Sequence, residues 1–196
     1  MEKQPGLEQI RAAYQRIRPF INKTAILTSS LLNELVQASL FFKCENFQKV
    51  GAFKFRGACH AILSLSDEEL SRGVVTHSSG NHAAALSLAA RLKGIPARIV
   101  MPSNVPAVKV AAVKYYGGEI TFCEPTQQAR EQTADEIIQR TRAKLIHPYN
   151  DHRIIAGQGT AALELLKEIP DLDYVLAPVG GGGLLSGTAI TAVSYT

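Results

Sequence analysis

The feature that most constrains this 196-residue chain is an alternation: short apolar runs, each closed by Gly, Pro or polar turn residues, are separated by segments of helical period. The runs are LFFKCE (40–45), GVVTHS (73–78), ARIVMP (97–102), EITFCE (119–124), KLIHPY (144–149) and YVLAPVG (174–180). Strands covered by helices on both faces read as continuous apolar runs, so the alternation predicts an α/β chain with open parallel sheets. Helices are expected over 81–94, 105–118 and 126–143, with a further one from about 153 to 167. The first ends in Lys-Gly, the second begins beside Pro106 and ends in Gly-Gly, and the third opens on Thr126, a residue suited to capping.

Four runs, from Val74 to Ile146, follow one another with one helix between each pair. They predict a small inserted α/β domain over residues 73–150. Residues 1–72 and 151–196 then form a larger domain with only two strand-like runs, and the segment at TAVSYT still reads as helix. The expectation is a large domain truncated at its C-terminal end. No repeat or Ser/Pro/Gly linker separates the parts, so they should pack directly.

Several function classes drop out. The net charge of +4, from 21 basic and 17 acidic residues, is spread without a basic run, so no nucleic-acid partner is expected. The start, MEKQPGLEQI, lacks the apolar stretch of a signal peptide, and no segment reaches the roughly 20 apolar residues that span a bilayer. A cytoplasmic address is expected, without membrane contact. Cys44, Cys59 and Cys123 are far apart and read as free thiols, and the five histidines include no metal-binding spacing, so no metal site is expected within the chain.

Three stretches carry chemistry. In VGAFKFRGA (50–58), Gly51 allows a tight turn into a helix whose first turn holds Lys54 between Phe53 and Phe55. The positive helix end should depress the pKa of Lys54, which suits it to condense with an aldehyde; a lysine covering apolar surface with its stem explains the same residues. In THSSGNHAAAL (76–86), Ser78, Ser79, Gly80, Asn81 and His82 bring hydroxyls, an amide, an imidazole and free N–H groups to a helix start, a way to hold a carboxylate. Ser79 and His82 also invite a nucleophile-and-base reading, but the Gly-x-Ser-x-Gly elbow and an orienting acid are lacking. In VLAPVGGGGLLSG (175–187), four glycines precede a helix, so backbone N–H groups can approach a phosphate. No Lys-Ser/Thr follows, as a P-loop would need, and the glycine spacing does not fit the dinucleotide fingerprint.

An amine, a carboxylate site and a phosphate site together suit pyridoxal phosphate and an amino acid. In order and spacing, GAFKFRGA, SSGNHAAAL and GGGGLLSG, with FFKCENFQK and IAGQGTAALEL, resemble the fold-type II pyridoxal-phosphate enzymes of the serine/threonine dehydratase and serine racemase group. Cysteine and threonine synthases fit less well, since Phe55 stands where they typically carry Asp. The resemblance implies the tryptophan-synthase-beta-like architecture. It also implies that Lys54 carries pyridoxal 5'-phosphate, Phe53 lies against its ring, Asn81 meets the ring hydroxyl, and Gly180, Gly181, Gly182, Gly183 and Leu184 cradle its phosphate. Ser78, Ser79, Gly80, Asn81 and His82 would take the carboxylate of serine or threonine.

The implied activity is loss of water from L-serine or L-threonine, giving a 2-oxo acid and ammonia. Ser79, where many dedicated threonine dehydratases have Ala, implies serine racemisation as well. Some members of the group are activated by ATP and Mg2+. Ser29, Ser30, Lys49, Lys109 and Tyr116 match nucleotide-site positions, while Val50 and Ala84 depart from them, and the Mg2+ ligands would lie past Thr196. Relatives imply a homodimer at full length. The competing expectation is a non-catalytic fragment that keeps only cofactor or partner contacts.

Overall fold

The computed structural model describes residues 4–194. Leu7, Ile10, Ala13, Tyr14 and Ile17 recur at helical spacing and form α1 (Leu7–Ile17), with Ile10, Ala13 and Ile17 turned inward. A short antiparallel ribbon pairs β1 (Ile26–Leu27) with β2 (Phe42–Lys43), Ile26 opposite Lys43. Between them lies α2 (Ser30–Val36), capped by Ser29, whose Oγ accepts the Leu32 N–H. Two 3-10 turns, Glu45–Phe47 and Lys49–Gly51, lead into α3 (Lys54–Leu63). A capping box of Ser66 and Glu69 then starts α4 (Asp67–Arg72).

From here the chain is wound as βαβ units. The elements are β3 (Val74–His77), α5 (Asn81–Lys93), β4 (Ala97–Pro102), α6 (Ala107–Tyr115), β5 (Glu119–Cys123), α7 (Gln127–Thr141) and β6 (Lys144–Leu145). The four strands pair in parallel in the order β5-β4-β3-β6, with Val74 opposite both Ala97 and Lys144. Thr126 caps α7 through the Ala129 N–H, and Gly94 closes α5 in the left-handed conformation. Two long helices follow, α8 (His152–Glu168) and α9 (Gly183–Val193).

One apolar cluster joins α3 (Phe55, Ala58, Ile62) to α5 (Leu86, Ala90) and the sheet (Val74, Ile99, Met101). It runs on both sides of residue 72. The other sheet face packs Val75 and Val100 against Ala134 and Ile137 of α7, while Ile10 and Ala13 of α1 meet Ala156 and Leu163 of α8. Inside the helical half, the fully buried Arg56 grips Glu45 (2.7 Å from Nε) and Glu164 (2.8 Å from Nη2), and Lys43 meets Glu164 at 2.6 Å. Two cations against two carboxylates leave this cluster electrically balanced, the condition under which buried charges are tolerated.

Three expected strands change. Of 40–45 only Phe42–Lys43 is paired, antiparallel to β1, because no parallel neighbour lies beside it among the described residues. Of 144–149 only Lys144–Leu145 is strand, since Pro148 has no N–H to give and His147 turns the backbone away. Residues 174–180 form no strand: a strand exists through its pairing, and none of the described residues pairs with them. Tyr174, Leu176 and Val179 are accordingly exposed.

Candidate active site

Lys54 is the first residue of α3, whose next three N–H groups are already taken, Phe55 by the Ala52 carbonyl, Arg56 by the Phe53 carbonyl and Gly57 by Gln158 Oε1. Its Nζ donates to the carbonyl oxygen of Pro148 at 2.8 Å and stands 5.3 Å from the centre of the Phe53 ring. Burial lowers its pKa. The two flanking aromatics do not sandwich it: Phe55 is fully buried, and its ring lies 5.6 Å from the ammonium of Lys49 instead.

Opposite Lys54 stands the start of α9. Gly182 has φ +85°, a left-handed geometry that suits glycine, and no side chain caps the helix. Lys54, Phe53, Tyr149, Pro178, Val179, Gly180–Gly183 and Leu184 line one cleft of ≈ 260 Å³. A Cβ placed on Gly180 or Gly182 would meet nothing within 4 Å, whereas one on Gly181 would strike the Tyr149 ring at 2.1 Å. The aromatic ring therefore lies flush on the glycine backbone.

Sequence reasoning missed this residue and the loop that carries it. His147 Nδ1 accepts the N–H groups of Tyr149 (3.3 Å) and Asn150 (2.8 Å), so the neutral ring carries its proton on Nε2. The ring meets Tyr149 edge to face at 4.5 Å and His77 at 5.5 Å. Its pKa is lowered by burial and then by His77. The available signal was HPYND (147–151), which spacing alone connects only with a weak metal motif.

The loop Ser78–Gly80 bends from the C-terminal end of β3 into α5, with the Gly80 N–H donating to Ser78 Oγ at 3.4 Å and Asn81 exposed in the first turn. These residues do not line the cleft itself. Beside them is His82, 2% exposed, whose Nε2–H donates to the Ile146 carbonyl at 3.3 Å while Nδ1 is buried without a partner. Burial first, and then the charge of Lys54, push its pKa down to about 3.

Ser29 and Ser30 begin α2, Lys49 sits in the second 3-10 turn, Lys109 lies on α6 and Tyr116 ends it; none of the five lines the cleft. Among the described residues no group of His, Cys, Asp and Glu could hold a metal ion, and no helix is long and apolar enough to cross a membrane.

The family model described as "Pyridoxal-phosphate dependent enzyme" matches residues 17–193. A serine racemase of Arabidopsis thaliana is 57% identical over 185 residues, 94% of this chain and 56% of the relative. A beta-hydroxyaspartate dehydratase of Paracoccus denitrificans is 54% identical over 187 residues, 95% of this chain and 59% of the relative. Among solved structures, maize serine racemase superposes with a TM-score of 0.96 at 49% identity, covering 98% of this chain and 58% of that one. The chain thus spans a little over half the length of these proteins.

Proposed function

This chain belongs to the fold-type II pyridoxal-phosphate dependent enzymes, in the group of serine racemases and serine/threonine dehydratases, and from that membership we propose that it holds pyridoxal 5'-phosphate between Lys54 and the glycine loop and acts on serine or threonine. The observation that carries the reading is the single cleft joining a half-buried amine of lowered pKa to the uncapped start of α9. A phosphate suits that helix end, where free N–H groups and the helix dipole favour an anion, and the open space at Gly180 and Gly182 leaves room for it.

When bound, the cofactor supplies an aldehyde that condenses with amines and a ring that takes up electrons from the substrate α-carbon. Lys54 would hold the aldehyde, Phe53 would face the ring, Asn81 would meet the ring hydroxyl, and Gly180–Gly183 with Leu184 would hold the phosphate. Ser78, Ser79, Gly80, Asn81 and His82 would bind the substrate carboxylate at the start of α5. Lys54, released by the incoming substrate amine, would take the α-proton from one face. Net, serine would give pyruvate and ammonia, and threonine 2-oxobutanoate and ammonia. Ser79, delivering a proton to the opposite face, would add racemisation of serine.

The reading keeps a small domain of 73–150 against 1–72 with 151–196, a cytoplasmic homodimer, and activation by ATP through Ser29, Ser30, Lys49, Lys109 and Tyr116 and by Mg2+ held outside the described residues. A second reading, cofactor or partner contact without turnover, is favoured by one observation: Tyr174 and Leu176 stand 85% and 89% exposed beside the glycine loop.

The test is to add pyridoxal phosphate to the purified chain, record its visible absorbance, reduce with borohydride and map the adduct. An adduct on Lys54 is expected. No band, or an adduct on other lysines only, would overturn the cofactor assignment.

A further inference from the structure

Residues two apart on an α-helix are turned by about 200° from each other, so Gly157 and Gly159 face opposite sides of α8. On one side, a Cβ at Gly157 would lie 2.6 Å from the Cα of Gly57 and 2.8 Å from the Arg56 carbonyl oxygen, both on α3. On the other, a Cβ at Gly159 would lie 2.9 Å from the Gly187 carbonyl oxygen on α9. Seen from α9, a Cβ at Gly187 would lie 2.5 Å from the Gly159 nitrogen and the Ile155 carbonyl oxygen. Backbone meets backbone in both crossings. At Gly159 the Ile10 side chain, its Cδ1 2.8 Å from the added Cβ, can yield, but the facing backbone cannot, so an added methyl group must move a helix.

Each crossing sits one turn behind a helix end that lines the cleft. Gly57 follows Lys54 by three residues and Gly187 follows Gly183 by four, so each glycine shares a face with the functional end of its own helix. Two polar side chains reinforce the crossings. Gln158 is fully buried at the α3 contact, its Oε1 accepts the Gly57 N–H at 3.2 Å, and its Nε2 has no partner and would lie 2.6 Å from a Cβ on Gly57. Thr191 of α9 donates to the Gly187 carbonyl at 2.8 Å and reaches the Gly159 carbonyl at 3.3 Å.

We propose that Gly157 and Gly159 are positioning residues that set the two ends of the cleft separately: Gly157 places the Lys54 amine, and Gly159 places the phosphate-binding start of α9. The proposal rests on the cofactor reading above. It predicts that the two ends can be uncoupled by single methyl groups on one helix.

The test compares pyridoxal with pyridoxal phosphate, two aldehydes that differ only in the phosphate, by titrating the visible absorbance band of the lysine-bound aldehyde. In the parent chain the phosphate compound should bind more tightly; free pyridoxal also closes to a hemiacetal in water, but equally for every variant, so a change in the ratio of the two affinities between variants reports the phosphate end alone. Gly159→Ala should cut that ratio by about tenfold or more and change pyridoxal binding less than about threefold. Gly157→Ala should weaken both aldehydes alike and leave the ratio unchanged. An unchanged ratio in Gly159→Ala, or the same pattern in both variants, would overturn the proposal. Absence of a band in the parent chain would instead sink the cofactor reading. Where a variant is unfolded by circular dichroism, Gly187→Ala and Gly57→Ala load the same contacts from the facing helix, and unfolding of all four would show that the glycines hold the fold together and do not tune the cleft.

Discussion

The Nζ of Lys54 and the carbonyl oxygen of Pro148 are 2.8 Å apart, which ties the first turn of α3 to the loop that follows β6. Burial lowers the pKa of this amine, so it is neutral over a wider pH range than a free lysine. The unfolded chain keeps the proton up to about pH 10.4, and the folded chain releases it earlier. Stability of the parent relative to Lys54→Met therefore rises with pH between the folded value and about 10.4. Urea unfolding of both proteins at about pH 7 and about pH 10 measures it. An unchanged difference would show that the amine is solvated like any surface lysine.

Gly181 and Tyr149 fit as backbone to ring, and a Cβ on Gly181 would stand 2.1 Å from that ring, which leaves no room for alanine. Gly181→Ala should displace the ring and weaken pyridoxal phosphate binding by about tenfold, a penalty of about 1.4 kcal/mol. Tyr149→Ala in the same chain should restore most of it, because the obstructing ring is gone. Contacting residues commonly couple by about 0.5–3 kcal/mol, and additive losses would place Tyr149 away from the bound cofactor's path.

How much of this was legible follows from what each signal depends on. The runs at 74–77 and 97–102 are strands whose apolar side chains are covered on both sides, and composition reports that directly, whereas 119–123 is an edge strand with Phe122 half exposed, legible from its β-branched and aromatic residues. The order of Lys54, the Ser78–His82 loop and the glycine loop was readable because each motif is local. The stretch 174–180 has the same composition as a strand, but pairing is a property of neighbours. Tyr149 on Gly181, and Gly157 on Gly57, join residues far apart in sequence, so no period or spacing announces them. The helix α1 was within reach, since Leu7, Ile10, Ala13 and Ile17 carry its period.

Arg56 supports the helical half through charge balance. Its guanidinium forks to Glu164 at 3.0 and 2.8 Å, and Glu45 occupies its other edge. Arg56→Met leaves the buried Glu164 to Lys43 and the half-buried Glu45 to the Thr24 hydroxyl, and should destabilise by about 3–5 kcal/mol. Burial would raise the pKa of Glu164, but hydrogen bonds from Arg56 and Lys43 hold it below the usual value. Its contribution is then present above the unfolded value of about 4.3 and is lost as pH falls through the folded one. Urea midpoints should thus drop steeply in acid for the parent and less for Glu164→Gln; parallel curves would count against the pairing.

His82 predicts a second acid effect at higher pH. Held neutral by burial down to about pH 3, it stays unprotonated while the unfolded chain takes up a proton near about pH 6.5. The unfolded state binds more protons in that window, so stability falls as pH drops from about 6.5 toward the folded value. His82→Asn keeps a donor for the Ile146 carbonyl and removes the titration. Its stability should be flatter across this window than the parent's, and an identical slope would mean that the imidazole reaches water.

The proposed function makes Ser79 the residue that would separate its two activities. Ser79 lies in the turn between β3 and α5, whereas Lys54 begins α3, so the two groups belong to different elements. If Lys54 removes the α-proton and Ser79 returns one on the opposite face, Ser79→Ala should slow inversion of L-serine by about 10²-fold or more, the usual contribution of a positioned acid. Loss of water needs only removal of the α-proton and departure of the hydroxyl, so pyruvate formation should stay within about threefold of the parent. Chiral analysis of serine and a pyruvate assay on the loaded protein read both rates at once. Equal losses in the two would make Ser79 a substrate-binding group alone, and undiminished inversion would move the second acid to another residue.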